Sequence, residues 1–168
     1  GDVSVVPSAS VTPYELTLNT GGAFTGGSSS DIDVNPTGTA TVVFNTNVSN
    51  YAVTMRTITI DASTTWEANA STVTLTGAVS LPFTDNGTHN AGSATYIYNG
   101  DADVTVDDDT YGNLTLSPSM ASVGRQYNTN AGATTTINTN LLITPSAASA
   151  YRLELLVRAN LVVSGNTT

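Results

Sequence analysis

Asn113-Leu114-Thr115-Leu116-Ser117 is followed along the chain by Asn140-Leu141-Leu142-Ile143-Thr144 and by Asn160-Leu161-Val162-Val163-Ser164. Each phrase starts with Asn, places aliphatic residues at the next position and two positions later, and closes on a hydroxyl residue. Side chains alternate faces along a strand, so those two aliphatic residues share one face. A phrase of this kind, recurring at roughly twenty-residue intervals, predicts short strands stacked coil upon coil, because one such unit buries its apolar face only against a neighbour.

Working outward from these phrases, apolar residues recur at period two, β-branched residues dominate, and no segment reads as a helix. Strands are expected at 3–6, 15–18, 41–44, 52–60, 72–76, 95–98, 103–106, 113–117, 134–137, 140–144, 152–157 and 161–164. Gly21-Gly22, the Gly/Ser run at 26–30, Asn86-Gly87 and Asn99-Gly100 supply turns between them. Residues 1–168 read as a single β domain. Within it, 1–50 form an irregular N-terminal capping or strand-exchange segment, and 52–168 form the strand-repeat body. Ser164-Gly165-Asn166-Thr167-Thr168 follow the last strand without a capping pattern, which suits a stacking subunit or a segment of a longer array.

Composition narrows the function. Charged residues make up 10% of the 168 positions, against about 25% in an average soluble domain, so the surface is built from Thr, Ser, Asn and Gly. Lysine is absent, and four arginines face thirteen carboxylates, for a net charge of −9. That balance removes the attraction to phosphate that nucleic-acid binding needs, and it disfavours anionic lipid. Without lysine there are no Lys–Asn isopeptide crosslinks and few tryptic sites. There is no cysteine, hence no disulfide or thiolate metal site. No apolar run reaches the length of a membrane span, and the first residues lack the pattern of a secretion signal. A mature secreted or cell-surface chain, or a piece of one, fits these features.

The stretch Thr65-Trp66-Glu67-Ala68-Asn69-Ala70-Ser71-Thr72-Val73-Thr74-Leu75-Thr76-Gly77, then Tyr111-Gly112 leading into the 113–117 phrase, then Asn138-Thr139 and Gly165-Asn166 around the later phrases, carries a resemblance. Over residues 60–168 the chain resembles the Thr/Asn/Gly-rich repeats of large bacterial secreted and cell-surface proteins that form right-handed parallel β-helices. The resemblance implies an all-β, right-handed parallel β-helix-like stack of short strands in an extracellular setting, with no catalytic residues to transfer. Leu81-Pro82-Phe83 and the stretch 146–152 depart from the pattern and are expected to be irregular coils or excursions. The alternative fold is an antiparallel β-sandwich of a strand-exchanging pilus-type subunit. In the stacked reading, coils of about 20–25 residues give about seven levels. Leu114, Leu116, Leu141, Ile143, Leu153, Leu155, Leu161 and Val163 then line the interior.

Few residues point to chemistry. Asp101, Asp103, Asp107, Asp108 and Asp109 place five carboxylates in nine positions and are candidate Ca²⁺ ligands, although the spacing is neither an EF-hand nor a β-roll nonapeptide. The plain alternative is a solvated acidic turn. Asp31 and Asp33 form a weaker version. His89 stands alone in a polar stretch, and no nucleophile elbow, phosphate loop or zinc spacing exists. Arg152 and Glu154 are expected to form an exposed ion pair. Trp66 and the tyrosines, Tyr96 and Tyr98 among them, offer a sugar-stacking platform or, equally, structural strand pairs. Asn47, Asn69, Asn86, Asn113 and Asn166 head glycosylation sequons. Val3, Val5, Leu16 and Leu18 lie on an extended segment suited to strand addition onto a neighbouring copy. The expectation is a non-enzymatic extracellular structural protein, the self-assembling subunit of a surface filament, tube or sheath. It needs no cofactor, with Ca²⁺ the one candidate, and it has copies of itself as partner. The alternative is an adhesin or glycan-binding stalk segment of a larger surface protein.

Overall fold

The structure, a computed structural model, describes residues 3–6, 8–19, 22–26, 29–46, 49–131, 133–147 and 151–168, with backbone alone at 8–19, 24, 38, 39 and 147. The chain winds as a β-solenoid. The first coil is β1 (Val3–Val5), β2 (Ser8–Asn19) and β3 (Phe24–Thr25), and the next is β4 (Asp31–Val34), β5 (Thr37–Asn45) and β6 (Val53–Met55). There follow β7 (Thr57–Ile60), β8 (Thr64–Glu67) and β9 (Thr72–Leu75), then β10 (Phe83–Asp85), β11 (Thr88–Asn90) and β12 (Thr95–Tyr98). The next coil is β13 (Val104–Val106), β14 (Thr110–Tyr111), β15 (Asn113–Leu116) and the corner strand β16 (Ser119–Met120). After it come β17 (Arg125–Thr129), β18 (Thr134–Ile137), β19 (Leu141–Ile143) and β20 (Ser146–Ala147), and β21 (Leu153–Leu156) with β22 (Asn160–Val163) carry the stack further.

Every ladder between these strands is parallel, which removes the antiparallel sandwich. One face is a continuous six-stranded sheet, β3-β6-β9-β12-β15-β19, whose strands bracket five turns. Hydrogen-bonded side chains on successive coils lie 20 residues apart at His89–Asp109 and 30 apart at Asn128–Arg158, so coil length varies more widely than the sequence pattern suggests.

Period-two alternation builds these strands. In β7, Thr57 and Thr59 point outward while Ile58 and Ile60 are fully buried, and β12 and β15 repeat the arrangement. Inward residues stack in columns: Ile32–Ile58–Phe83, Phe44–Trp66–His89, Val53–Val73–Tyr96–Leu114–Leu141 and Met55–Leu75–Tyr98–Leu116–Ile143. Each buried Leu or Ile contributes about 1.5–3 kcal/mol. Of the interior residues expected from the sequence, Leu114, Leu116 and Leu141 are buried. Ile143, Leu153, Leu155, Leu161 and Val163, in β19, β21 and β22, are only half-buried; of these strands β19 is met by the last residues, with Leu141 bridging Thr167 and the Ile143 N–H donating to the Thr168 carbonyl.

Several expectations are corrected. The three Asn-aliphatic phrases do not form one column. The first two pair as β15 and β19, with Leu114 beside Leu141, but the third is β22 and pairs with β18 on a different face. The phrase is a good strand at any level; which face it joins is set by the turns before it. Residues 52–60 form two strands that meet at Arg56. Leu81-Pro82 lie in an irregular stretch between β9 and β10, as expected, but Phe83 re-enters the stack: it continues the column of Ile58, and the Pro82 carbonyl accepts from the Ile58 N–H. Proline is tolerated there because it stands just before an edge strand.

Candidate functional site

The continuous sheet is accompanied by two faces that break. β1-β4-β7-β10 ends at β10 and β2-β5-β8-β11 ends at β11; their successors, β13-β17-β21 and β14-β18-β22, are separate sheets. At this seam side chains take over from the ladder. Asp85 occupies the register position of Ile60, and its N–H donates to Asp107 Oδ2 at 2.9 Å across the break. His89 stands in the column of Trp66 with its side chain sealed from solvent. His89 Nδ1 lies 2.5 Å from Asp109 Oδ2, and Nε2 faces the Tyr96 hydroxyl. An ionised carboxylate only accepts, so the proton between His89 and Asp109 is assigned to Nδ1.

Aromatic rings fill the space that the break opens. Phe83 and His89 have ring centroids 5.3 Å apart, His89 and Tyr96 5.2 Å, and Tyr96 and Tyr111 5.2 Å, the last two pairs edge to face. The Tyr98 and Tyr111 hydroxyls are 3.1 Å apart, and Tyr127 donates to the Gly100 carbonyl at 3.0 Å. Burial pushes all four tyrosine hydroxyls, at Tyr96, Tyr98, Tyr111 and Tyr127, above the usual range. Burial likewise raises the Asp85 and Asp107 carboxyls. The sequence reading missed this network because His89 sits among Thr88 and Asn90, which point outward from the same short strand. It has the residue types of an acid–base relay, with the imidazole sealed from solvent. Its work is to satisfy polar groups where backbone pairing stops.

The fold does not gather the five carboxylates of the acidic stretch. Asp101 pairs with Arg125 at 2.6 Å, Asp103 accepts the Gln126 N–H at 2.9 Å, Asp108 accepts from Asn130 at 2.7 Å, and Asp107 and Asp109 turn into the seam. Among the described residues no group of three or more His, Asp or Glu side chains could hold a metal ion. The hydrogen bonds from Arg125 and the Ala121 N–H hold the Asp101 carboxyl below its usual value. At Asp31, burial pushes upward, but the hydrogen bonds of Arg56 and Thr57 prevail and the carboxyl is lowered. Asp33 is half-buried on the same strand.

Three of the four arginines lie on or beside the β13-β17-β21 face. A shallow cleft of about 330 Å³ is lined by Asp103, Gly124, Arg125, Gln126, Arg152 and Glu154. The expected Arg152–Glu154 ion pair does not form; Glu154 accepts from Gln126 Nε2 at 3.2 Å. The proposed aromatic platform is also corrected, since Trp66, Tyr96, Tyr98, Tyr111 and Tyr127 are all core residues.

The sequons differ in access. The Asn69 amide donates to Asn45 at 2.8 Å and to Thr46 at 3.2 Å, and Asn113 donates to the Ser93 carbonyl at 3.2 Å. Asn86 and Asn166 are exposed, and Asn47 lies outside the described residues. Asn113, Asn140 and Asn166 form a ladder on successive coils.

The chain matches no family model, no curated protein and no solved structure.

Val3 and Val5, named above for strand addition, lie in β1, paired on one side with β4 and half-buried against the core. The backbone of Leu16 and Leu18 lies in β2, paired with Val42 and Phe44 of β5; their side chains lie outside the description. β1, β2 and β3 each end a sheet, as do β21 and β22 at the other end.

Proposed function

We propose that the chain is a non-enzymatic structural protein of the cell exterior, the self-assembling subunit of a surface filament, tube or sheath. The observation that carries this reading is where the incompletely covered apolar residues sit. Those packed against the core yet only half-buried are Val3 and Val5 at one end and Ile143, Leu153, Leu155, Leu161 and Val163 at the other. Edge strands with unpaired backbone groups beside apolar side chains recruit further strands. A surface rich in Thr and Asn and a dearth of tryptic sites suit a protein exposed to its surroundings. A second reading, a glycan-binding stalk segment, is favoured by the cleft at Arg152, where guanidinium, carboxylate and amide groups converge as hydroxyl-rich ligands require.

Electron microscopy and sedimentation of the purified 168-residue chain separate the two. Ordered filaments or rods whose mass grows with concentration support assembly. A monomer at every concentration that binds polysaccharide, and loses that binding in Arg152→Ala, supports the second reading and sinks the first.

A further inference from the structure

We propose that the outward face of β13, β17 and β21 is a two-part groove for a neutral oligosaccharide, whose chain lies along β17. This rests on the glycan-binding reading above and adds a second cleft, the direction of the ligand and its charge class.

Position comes first. β17 is the middle strand of its sheet, with β13 on one side and β21 on the other, so its outward face is a flank of the solenoid. Register sets Gln126 beside Glu154, Thr105 beside Asn128, and Asn128 beside Leu156. Val104 and Tyr127 between them are buried, so by alternation these neighbours point outward. Gln126 lines the cleft of about 330 Å³ near the start of β17. Near its end a smaller cleft, of about 190 Å³, has Thr105, Asn128, Asn130 and Arg158 in its walls. The four residues from Gln126 to Asn130 span about 13 Å, the reach of an extended oligosaccharide of about three rings. Leu156, 38% exposed beside Asn128, offers an apolar spot on which the C–H face of a sugar ring packs.

Hydrogen-bond capacity then selects the ligand. Arg56 bonds Asp31, Arg125 bonds Asp101 and Arg158 bonds Asn128. Arg152 is exposed, and among the described residues its guanidinium donates to none. Asp103 takes the Gln126 N–H on one carboxylate oxygen, Glu154 takes the Gln126 side-chain amide on one of its own, and each leaves its second oxygen open. The cleft therefore presents an unsatisfied donor beside two unsatisfied acceptors. A polyanion would suit Arg152 but oppose Asp103, Glu154 and a chain of net charge −9. A cationic ligand would suit the carboxylates but oppose Arg152 and Arg158. A hydroxyl both donates and accepts, so adjacent hydroxyls of a neutral sugar serve guanidinium and carboxylates together.

The test is an array of neutral and acidic oligosaccharides, followed by calorimetric titration of the best neutral binder at increasing length. Neutral sugars are expected to bind, with affinity rising about tenfold from a disaccharide to a tetrasaccharide as the second cleft is reached, and then levelling off. Arg152→Ala is expected to weaken binding at every length. Arg158→Ala is expected to weaken the tetrasaccharide about tenfold and to leave the disaccharide within about twofold. Both side chains are exposed, so the fold tolerates either change. Preference for acidic sugars, affinity that ignores length, or an equal loss at all lengths from Arg158→Ala overturns the two-part neutral groove while glycan binding itself stands. Binding that survives Arg152→Ala puts the site elsewhere and also overturns it. No binding to any member of the array defeats the glycan-binding reading as a whole.

Discussion

Asp107 is nine-tenths buried and accepts the Asp85 N–H across the seam, a position where an ionised carboxylate is held out of water. Burial raises its carboxyl and that of Asp85. A raised folded-state value means the native chain binds protons the unfolded chain has released. The stability from these two groups is therefore present at acid pH and lost as pH rises through the folded value. Asp31 and Asp101 are lowered and act in the opposite sense, losing their contribution as pH falls. Asp107→Asn keeps an oxygen facing the Asp85 N–H and cannot ionise. The stability of this variant relative to the parent is expected to improve from about pH 4 to about pH 7 in paired chemical denaturation. A difference that stays flat with pH would show that the buried carboxylate carries no such penalty.

At the level of strands, β10 carries more than its three residues suggest. Phe83 closes the column of Ile32 and Ile58 and lies against His89, Tyr96 and Tyr111. Phe83→Ala is expected to cost about 3–5 kcal/mol, and Leu81→Ala, at an exposed neighbour, less than about 0.5 kcal/mol. Equal costs in denaturant melts would remove Phe83 from the seam's core. Strand identity was legible wherever Thr alternates with large apolar residues, as at Thr57–Ile60 or Asn113–Leu116. It failed at β2, where Pro13 suggests a break. That proline falls within the register shift between Ala9 and Tyr14, on a strand that ends its sheet among the described residues, where proline is tolerated. The seam was illegible because its partners come from separate coils. His89 and Asp109 are joined by winding, and nothing in the local pattern of either encodes that.

Across the whole molecule, protection should follow the number of paired sides. β9, β12 and β15 are hydrogen-bonded on both flanks, whereas β1, β21 and β22 are bonded on one. Amide hydrogen exchange of the monomer is expected to be slowest in the first group and fastest in the second. On assembly, protection is expected to rise in the end strands alone; a rise spread evenly over the chain would argue for lateral packing.

The broken faces also give the solenoid a mechanical direction. At the level of β10–β13 the β3-to-β19 sheet runs through uninterrupted, while the other two faces are joined by side-chain contacts and by hydrogen bonds such as Thr105 N–H to the Ser80 carbonyl at 2.6 Å in place of a ladder. Flexing about that intact sheet stretches few bonds, but shearing along it strains a full ladder. Were such units to assemble as proposed, each would bring one compliant joint to the filament, pliant in one plane and stiffer in the plane at right angles.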